Sequence, residues 1–212
     1  MTRLILLRHG QSEANKHKVF SGQVDFPLTD LGILQAELAA KYIAKNEKID
    51  IIYSSDLIRA YNTALPVAKA LGLHIIKDNE LREFDLGDWT KKTREQVEKE
   101  YPESWGQEFS VRQYPNGEYA PDAFERSVRA IVKIAESNDG KCVLIAAHAG
   151  VIRSFDAFSK GYSKTELSKV PDCHNASISV YEFHEGKATP VKTDITEHLD
   201  PASGMLSGKN VI

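Results

Sequence analysis

Thr2-Arg3-Leu4-Ile5-Leu6-Leu7, followed at once by Arg8-His9-Gly10, is the run from which the architecture can be read. Four consecutive aliphatic residues with no polar alternation mark a strand buried on both faces, the habit of a central strand in a parallel sheet. Gly10 closes it. After a polar stretch containing Gly22 and Pro27, Thr29 is a candidate N-cap for a helix with Leu31, Leu34, Leu38 and Tyr42 on its apolar face. Asp50-Ile51-Ile52-Tyr53 reads as a second strand. Ser54-Ser55-Asp56 offers capping oxygens to a helix with Leu57, Ala60, Ala64, Ala68 and Leu71 on one face and a kink expected at Pro66.

Residues 73–76 make a third short strand. A helix with Phe124, Val128, Ile131 and Ala135 in register precedes a fourth, Cys142-Val143-Leu144-Ile145-Ala146-Ala147. Strands alternating with helices mean an α/β fold. Residues 177–183 alternate with period two, and Glu185-Gly186 then leads to a strand at residues 188–191, a closing hairpin at a sheet edge. The expectation is one domain over residues 1–212, with a lid-like insertion at about residues 84–121 and a loose C-terminal tail from about residue 199, free or packed on a neighbouring chain.

The 212 residues are about one and a half times a common domain length, and 42% hydrophobic with 27% charged residues is globular composition. Against 27 basic residues stand 30 acidic ones, a net charge of -3, so no global field favours nucleic acid or an anionic membrane. The two cysteines make no disulfide framework, no signal peptide is evident, and no apolar run is long enough to span a bilayer. A cytoplasmic protein without nucleic-acid or membrane partners is expected.

Ligands of open α/β sheets bind beyond the carboxyl ends of the strands. The first strand ends in Arg8-His9-Gly10, the second leads within six residues to Arg59, the third to Glu83, and the fourth ends in His148-Ala149-Gly150. Taken singly these are ordinary: a strand-end histidine held by a neighbour, an arginine paired with Asp56 three residues earlier, an exposed loop acid. Their coincidence at four strand ends is what marks a site. Two guanidiniums suit phosphoryl oxygens, a neutral imidazole can attack phosphorus, and a carboxyl group kept protonated can serve the leaving oxygen. Glycines at 10 and 150 let backbone amides approach closely.

Leu7-Arg8-His9-Gly10-Gln11-Ser12-Glu13-Ala14-Asn15, then Ser21-Gly22, Asp25, Pro27-Leu28-Thr29 and Gly32, resembles the signature of the histidine phosphatase (phosphoglycerate mutase-like) superfamily. Ser54-Ser55-Asp56-Leu57-Ile58-Arg59-Ala60, Leu81-Arg82-Glu83-Phe84-Asp85-Leu86-Gly87-Asp88-Trp89 and Ala147-His148-Ala149-Gly150 are similar to its later motifs, in its order. The resemblance implies a three-layer α/β/α sandwich around a mostly parallel sheet and no metal or other cofactor. It implies His9 as the phosphorylated nucleophile, Glu83 as the proton donor, and Arg8, Arg59 and His148 around the phosphoryl oxygens. In the two-step displacement this suggests, a protonated His148 would help the arginines offset the charge there. Asn15, Ser21, Gly22 and Ala149 fall at the family's phosphate- and substrate-binding positions. The substrate would be a small phosphomonoester, and a homodimer is a possible assembly.

Leu86 and the single arginine of Ser110-Val111-Arg112 stand where a phosphoglycerate mutase would have a tyrosine and an arginine pair, so a phosphatase is favoured over a mutase. Three rivals of other classes stay open. His9, His148 and Glu83 form a two-histidine, one-carboxylate set, although two arginines would repel a cation. Gly10-Gln11-Ser12-Glu13-Ala14 nearly matches a nucleophile elbow. A phosphate-binding module without turnover would keep the same pocket.

Overall fold

In the computed structural model, which describes residues 1–200 and 204–207, the opening run forms β1 (Thr2–Arg8). With β2 (Ile51–Ser54), β3 (Ile75–Lys77), β4 (Cys142–Ala147), β5 (Ile178–His184) and β6 (Lys187–Ile195) it builds one sheet in the order β3-β2-β4-β1-β5-β6. The first four of that order are mutually parallel, whereas β5 and β6 are antiparallel additions. Helices α1 (Glu13–His17), α2 (Asp30–Asn46), α3 (Ile58–Leu71), α4 (Arg94–Glu100), α5 (Pro102–Trp105), α6 (Ala120–Glu136) and α7 (Ala149–Ser159) complete the chain.

The sandwich follows from strand parity, since successive side chains point to opposite faces. Leu4, Leu6, Val143 and Ile145 face a core closed by Ile131 and Ile134 of α6 and Phe155 of α7. Ile5, Leu7, Leu144 and Ala146 face Ala39, Ala40 and Ile43 of α2 and Ala64, Val67 and Ala68 of α3. Each fully buried aliphatic side chain contributes roughly 1.5–3 kcal/mol, opposed by the entropy of ordering the chain.

Three local expectations are corrected. The buried face of α2 is Gly32, Gln35, Ala36, Ala39, Ala40 and Ile43, and Leu34 is turned to solvent. Close approach decides this: a Cβ on Gly10 would lie 2.4 Å from the Gly32 carbonyl oxygen, so the helix seats by its smallest residues. Second, Leu57 is the N-cap of α3 and has no side-chain cap of its own. Ser55 Oγ accepts from the Leu57 amide at 3.3 Å, and Asp25, distant in sequence, accepts from the Ile58 amide at 2.8 Å. Third, the strand at residues 73–76 is displaced to Ile75–Lys77. α3 runs from Ile58 to Leu71 with Pro66 inside it.

Residues 84–121 pack into an apolar cluster that they share with Phe20, Phe124, Leu167 and Val170 from outside the segment. Trp89 and Tyr114 meet edge to face with ring centroids 5.1 Å apart, packed with Phe84, Leu86 and Val97. Arg112 is buried beside them, its guanidinium 5.1 Å from the Trp89 ring and 5.4 Å from the Trp105 ring, donating to the carbonyls of Trp105 and Gln107. The tail expected from about residue 199 falls partly outside the described residues, at 201–203 and 208–212. Within them, Leu199 is buried, and Met205 and Ser207 hydrogen bond to Gln35 and Asn175 of the same chain. Among the described residues no helix is long and apolar enough to cross a membrane.

Candidate active site

Arg8 pairs with Ala147 across β1 and β4, so the residues that follow each strand emerge side by side. His9 and His148 face one another with ring centroids 5.2 Å apart. Nδ1 of His9 lies 2.7 Å from the Gly10 carbonyl oxygen. Because a carbonyl only accepts, Nδ1 carries the proton and the lone pair is on Nε2. Burial above all, then Arg59 and Arg8, hold this imidazole well below its ordinary pKa of 6.5, so the ring is neutral.

Arg59 is fully buried on the first turn of α3. It donates to the carbonyls of Gly22 at 2.8 Å and Val24 at 3.0 Å, which fixes the guanidinium beneath the turn at Ser21–Val24. Gly22 has φ +46°, and a Cβ there would lie 3.0 Å from Thr90 Oγ1. Burial lowers the Arg59 pKa to about 10, with Glu83 and Asp25 resisting the shift, and the group stays charged at neutral pH. Arg8 donates to the Cys173 carbonyl and lies 3.8 Å from an Asp172 carboxylate oxygen. Asp56, three residues before Arg59, is instead held by Arg82 at 2.6 and 2.7 Å.

Glu83 is buried, and its carboxylate accepts from the Phe84 amide at 3.0 Å and from the Gly150 amide at 3.2 Å. Burial raises its pKa, against the pull of the Phe84 amide, Arg59 and the Gly150 amide. Its main-chain carbonyl accepts from Gln23 and from Arg126, which is itself anchored by Glu118 at 2.8 Å. His148 is the N-cap of α7 but makes no side-chain cap; its Nε2 lies 2.9 Å from Ser55 Oγ. Burial, then Arg59, His9 and Arg8, hold its pKa well below 6.5. Burial and the two guanidiniums thus disfavour the imidazolium form of His148 in the site as folded.

Asn15 Oδ1 accepts from the Ser12 amide at 3.0 Å, Ser12 Oγ at 2.9 Å and Asn175 Nδ2 at 3.3 Å, so Nδ2 is the part of this amide left for an anion. The same bonds commit the Ser12 hydroxyl to the capping box of α1 and remove it as a hydrolase nucleophile. Ser21 and Gly22 lie in the turn over Arg59, and Ala149 opens α7 beside His148. Among the described residues no group of three or more His, Cys, Asp or Glu side chains is placed to hold a metal ion.

Sequence reading passed over several residues here. Thr63 Oγ1 accepts from the Gly10 amide at 3.0 Å, and Gln35 Oε1 from the Gln11 amide at 2.8 Å. Asn175 donates to the His9 carbonyl at 3.1 Å. β5 runs antiparallel to β1 with Leu7 opposite Ile178, so the segment before β5, not after it, reaches the site. Looking only beyond carboxyl ends misses it.

The sequence model of the histidine phosphatase superfamily (branch 1) matches residues 4–196. A Hydrogenobacter thermophilus protein named phosphoserine phosphatase 1 is 33% identical over 94% of this chain and 95% of its own length. An Arabidopsis thaliana phosphoglycerate mutase-like protein 4 is 30% identical over 97% of this chain and 90% of its own. The solved structure of a mycobacterial glucosyl-3-phosphoglycerate phosphatase in complex with VO3 superposes with a TM-score of 0.83 at 29% identity, covering 92% of this chain and 99% of that one. A family model that spans residues 4–196, with relatives at this identity and coverage, makes this chain a member of the histidine phosphatase superfamily, branch 1.

Proposed function

We propose that the protein is a metal-independent phosphomonoesterase that works through a phosphohistidine at His9 on a small phosphorylated metabolite. The observation that carries this reading is the His9 ring itself: buried, held neutral by burial and two nearby guanidiniums, and pinned through Nδ1 to the Gly10 carbonyl at 2.7 Å, so that Nε2 is the nucleophile. In the first step Nε2 forms a bond to phosphorus, the ester P–O bond breaks, and the Glu83 carboxyl proton passes to the leaving oxygen. In the second, the Glu83 carboxylate takes a proton from water as that water attacks phosphorus and the P–N bond breaks. Arg8, Arg59, Asn15 and His148 hold the three equatorial oxygens, and the entering dianion favours a donating His148.

Relatives named for phosphoserine and glucosyl-3-phosphoglycerate support a phosphorylated metabolite as substrate. A mutase is the second reading, since one relative is named mutase-like. Arg112, the single arginine at the place where a mutase would have its pair, bonds to the Trp105 and Gln107 carbonyls at 3.1 and 2.7 Å and lies against two tryptophans, which favours hydrolysis over capture of a second substrate anion. The test is phosphate release from a panel of phosphomonoesters with and without EDTA. Release that survives EDTA and disappears in His9→Ala supports the reading, and transfer to a second hydroxyl in place of release would favour the mutase.

A further inference from the structure

Two buried side-chain amides flank the nucleophile from behind. Gln35, on α2, accepts from the Gln11 amide through Oε1 at 2.8 Å and donates through Nε2 to the Met205 carbonyl at 2.6 Å and to Ser207 Oγ at 3.3 Å. Asn175, before β5, donates through Nδ2 to the His9 carbonyl at 3.1 Å and to Asn15 Oδ1 at 3.3 Å. At its other end the Asn175 amide N–H donates to the Ser207 carbonyl at 2.8 Å, and Oδ1 accepts from Ser207 Oγ at 3.3 Å. Both residues are wholly buried. Each therefore holds the loop from His9 to Asn15 with one end and the segment Met205–Ser207 with the other.

An amide in a dry site keeps its orientation only while both ends are satisfied. Without Met205–Ser207, Gln35 Nε2 loses both acceptors and Asn175 loses an acceptor for N–H and a donor to Oδ1. Reorientation to recover partners would release Gln11, the His9 carbonyl or Asn15. Those are the atoms that set where Nε2 of His9 and Nδ2 of Asn15 point. Thr63, which holds the Gly10 amide at 3.0 Å, does not touch this set and would not replace it.

We propose that Gln35 and Asn175 are positioning residues through which the C-terminal segment Met205–Ser207 sets the placement of the His9 nucleophile, so that this segment is a working part of the site. Neither amide touches the phosphoryl group, and their effect is on the geometry of attack. The proposal rests on the phosphohistidine reading of the site.

The test compares the full chain with a chain ending at Ser203, with Ser207→Ala, and with Gln35→Glu, which retains the acceptor for Gln11 and loses the donors to the C-terminal segment. Turnover of nitrophenyl phosphate is measured beside the imidazole resonances of protein labelled with ¹⁵N-histidine, with thermal melting to establish folding. The expected result is a fall in kcat of about 10- to 100-fold with KM changed far less. His9 resonances should shift while those of exposed His74 stay in place, and Ser207→Ala should be the mildest variant. Folded variants with unchanged His9 resonances and unchanged kcat would overturn the proposal. If the full chain turns over no ester, the failure is that of the catalytic reading, and the resonances of His9 still decide whether the segment positions it.

Discussion

Gly150 and Glu83 meet with no space between them: the Gly150 amide lies 3.2 and 3.3 Å from the two carboxylate oxygens, and a Cβ at position 150 would sit 2.4 Å from Oε1. A side chain at 150 would therefore displace the carboxylate, and the acid is seated on the first turn of α7. Gly150→Ala is predicted to push the carboxylate off this amide and to cost about 1–3 kcal/mol of stability. Turnover should fall by about 10²-fold or more for alkyl phosphates, which need a proton on the leaving oxygen, and less for nitrophenyl phosphate. Steady-state kinetics on the two esters decide it, and equal losses would speak against Glu83 as the donor.

The pH dependence of kcat/KM should report the same group. Burial holds the Glu83 proton to higher pH than the ordinary 4.5, while burial and two arginines keep His9 neutral to below 6.5. The reactive form has a protonated Glu83 and a neutral His9, so kcat/KM declines as pH rises through the raised Glu83 value. In Glu83→Gln that alkaline decline should vanish along with most of the rate. Its persistence in the variant would assign it elsewhere.

Stability carries the opposite signature from the histidines. With the folded pKa of His148 lowered below 6.5, the unfolded chain binds a proton that the folded one refuses. The stability that depends on it is complete above 6.5 and is lost as pH falls through the folded value, at up to about 1.4 kcal/mol per pH unit. Glu83, with its folded pKa raised, acts the other way, its contribution complete below 4.5 and lost as pH rises through the folded value. Subtraction separates the two: the stability of wild type relative to His148→Asn should rise between about pH 5 and about pH 7 in urea titrations. A flat difference would contradict the lowered pKa.

Asp25 caps α3 from a distant loop through the Ile58 amide at 2.8 Å, and the same loop supplies the carbonyls that fix Arg59. Asp25→Ala is predicted to cost about 1 kcal/mol and to raise KM several-fold through a looser Arg59, with kcat less affected. Denaturation and a KM determination check both halves. An unchanged KM would separate the cap from the site.

Much of this was legible in the sequence because the signals were local. An unbroken aliphatic run marked β1, and β4 emerged with the bounds expected of it. His9, Arg59, Glu83 and His148 stood out because strand ends of a parallel sheet converge. What stayed hidden depended on packing. The buried face of α2 was misplaced because its leucines are the conspicuous apolar residues, whereas contact with Gly10 selects glycine and alanine. Asp25 capping α3, Asn175 behind His9 and Gln35 beneath Gln11 are polar residues whose partners lie far away in sequence. No spacing rule brings such pairs together, and only the register of β5 against β1 does so for Asn175.

The most direct measurement of the central claim is a rapid quench of the enzyme with a ³²P-labelled phosphomonoester, followed by localisation of the protein-bound label. A phosphoryl group on His9, labile to acid and stable to base, formed at a rate no slower than turnover and missing from His9→Ala, is the predicted result. Label on another residue, or turnover retained by His9→Ala, would contradict it.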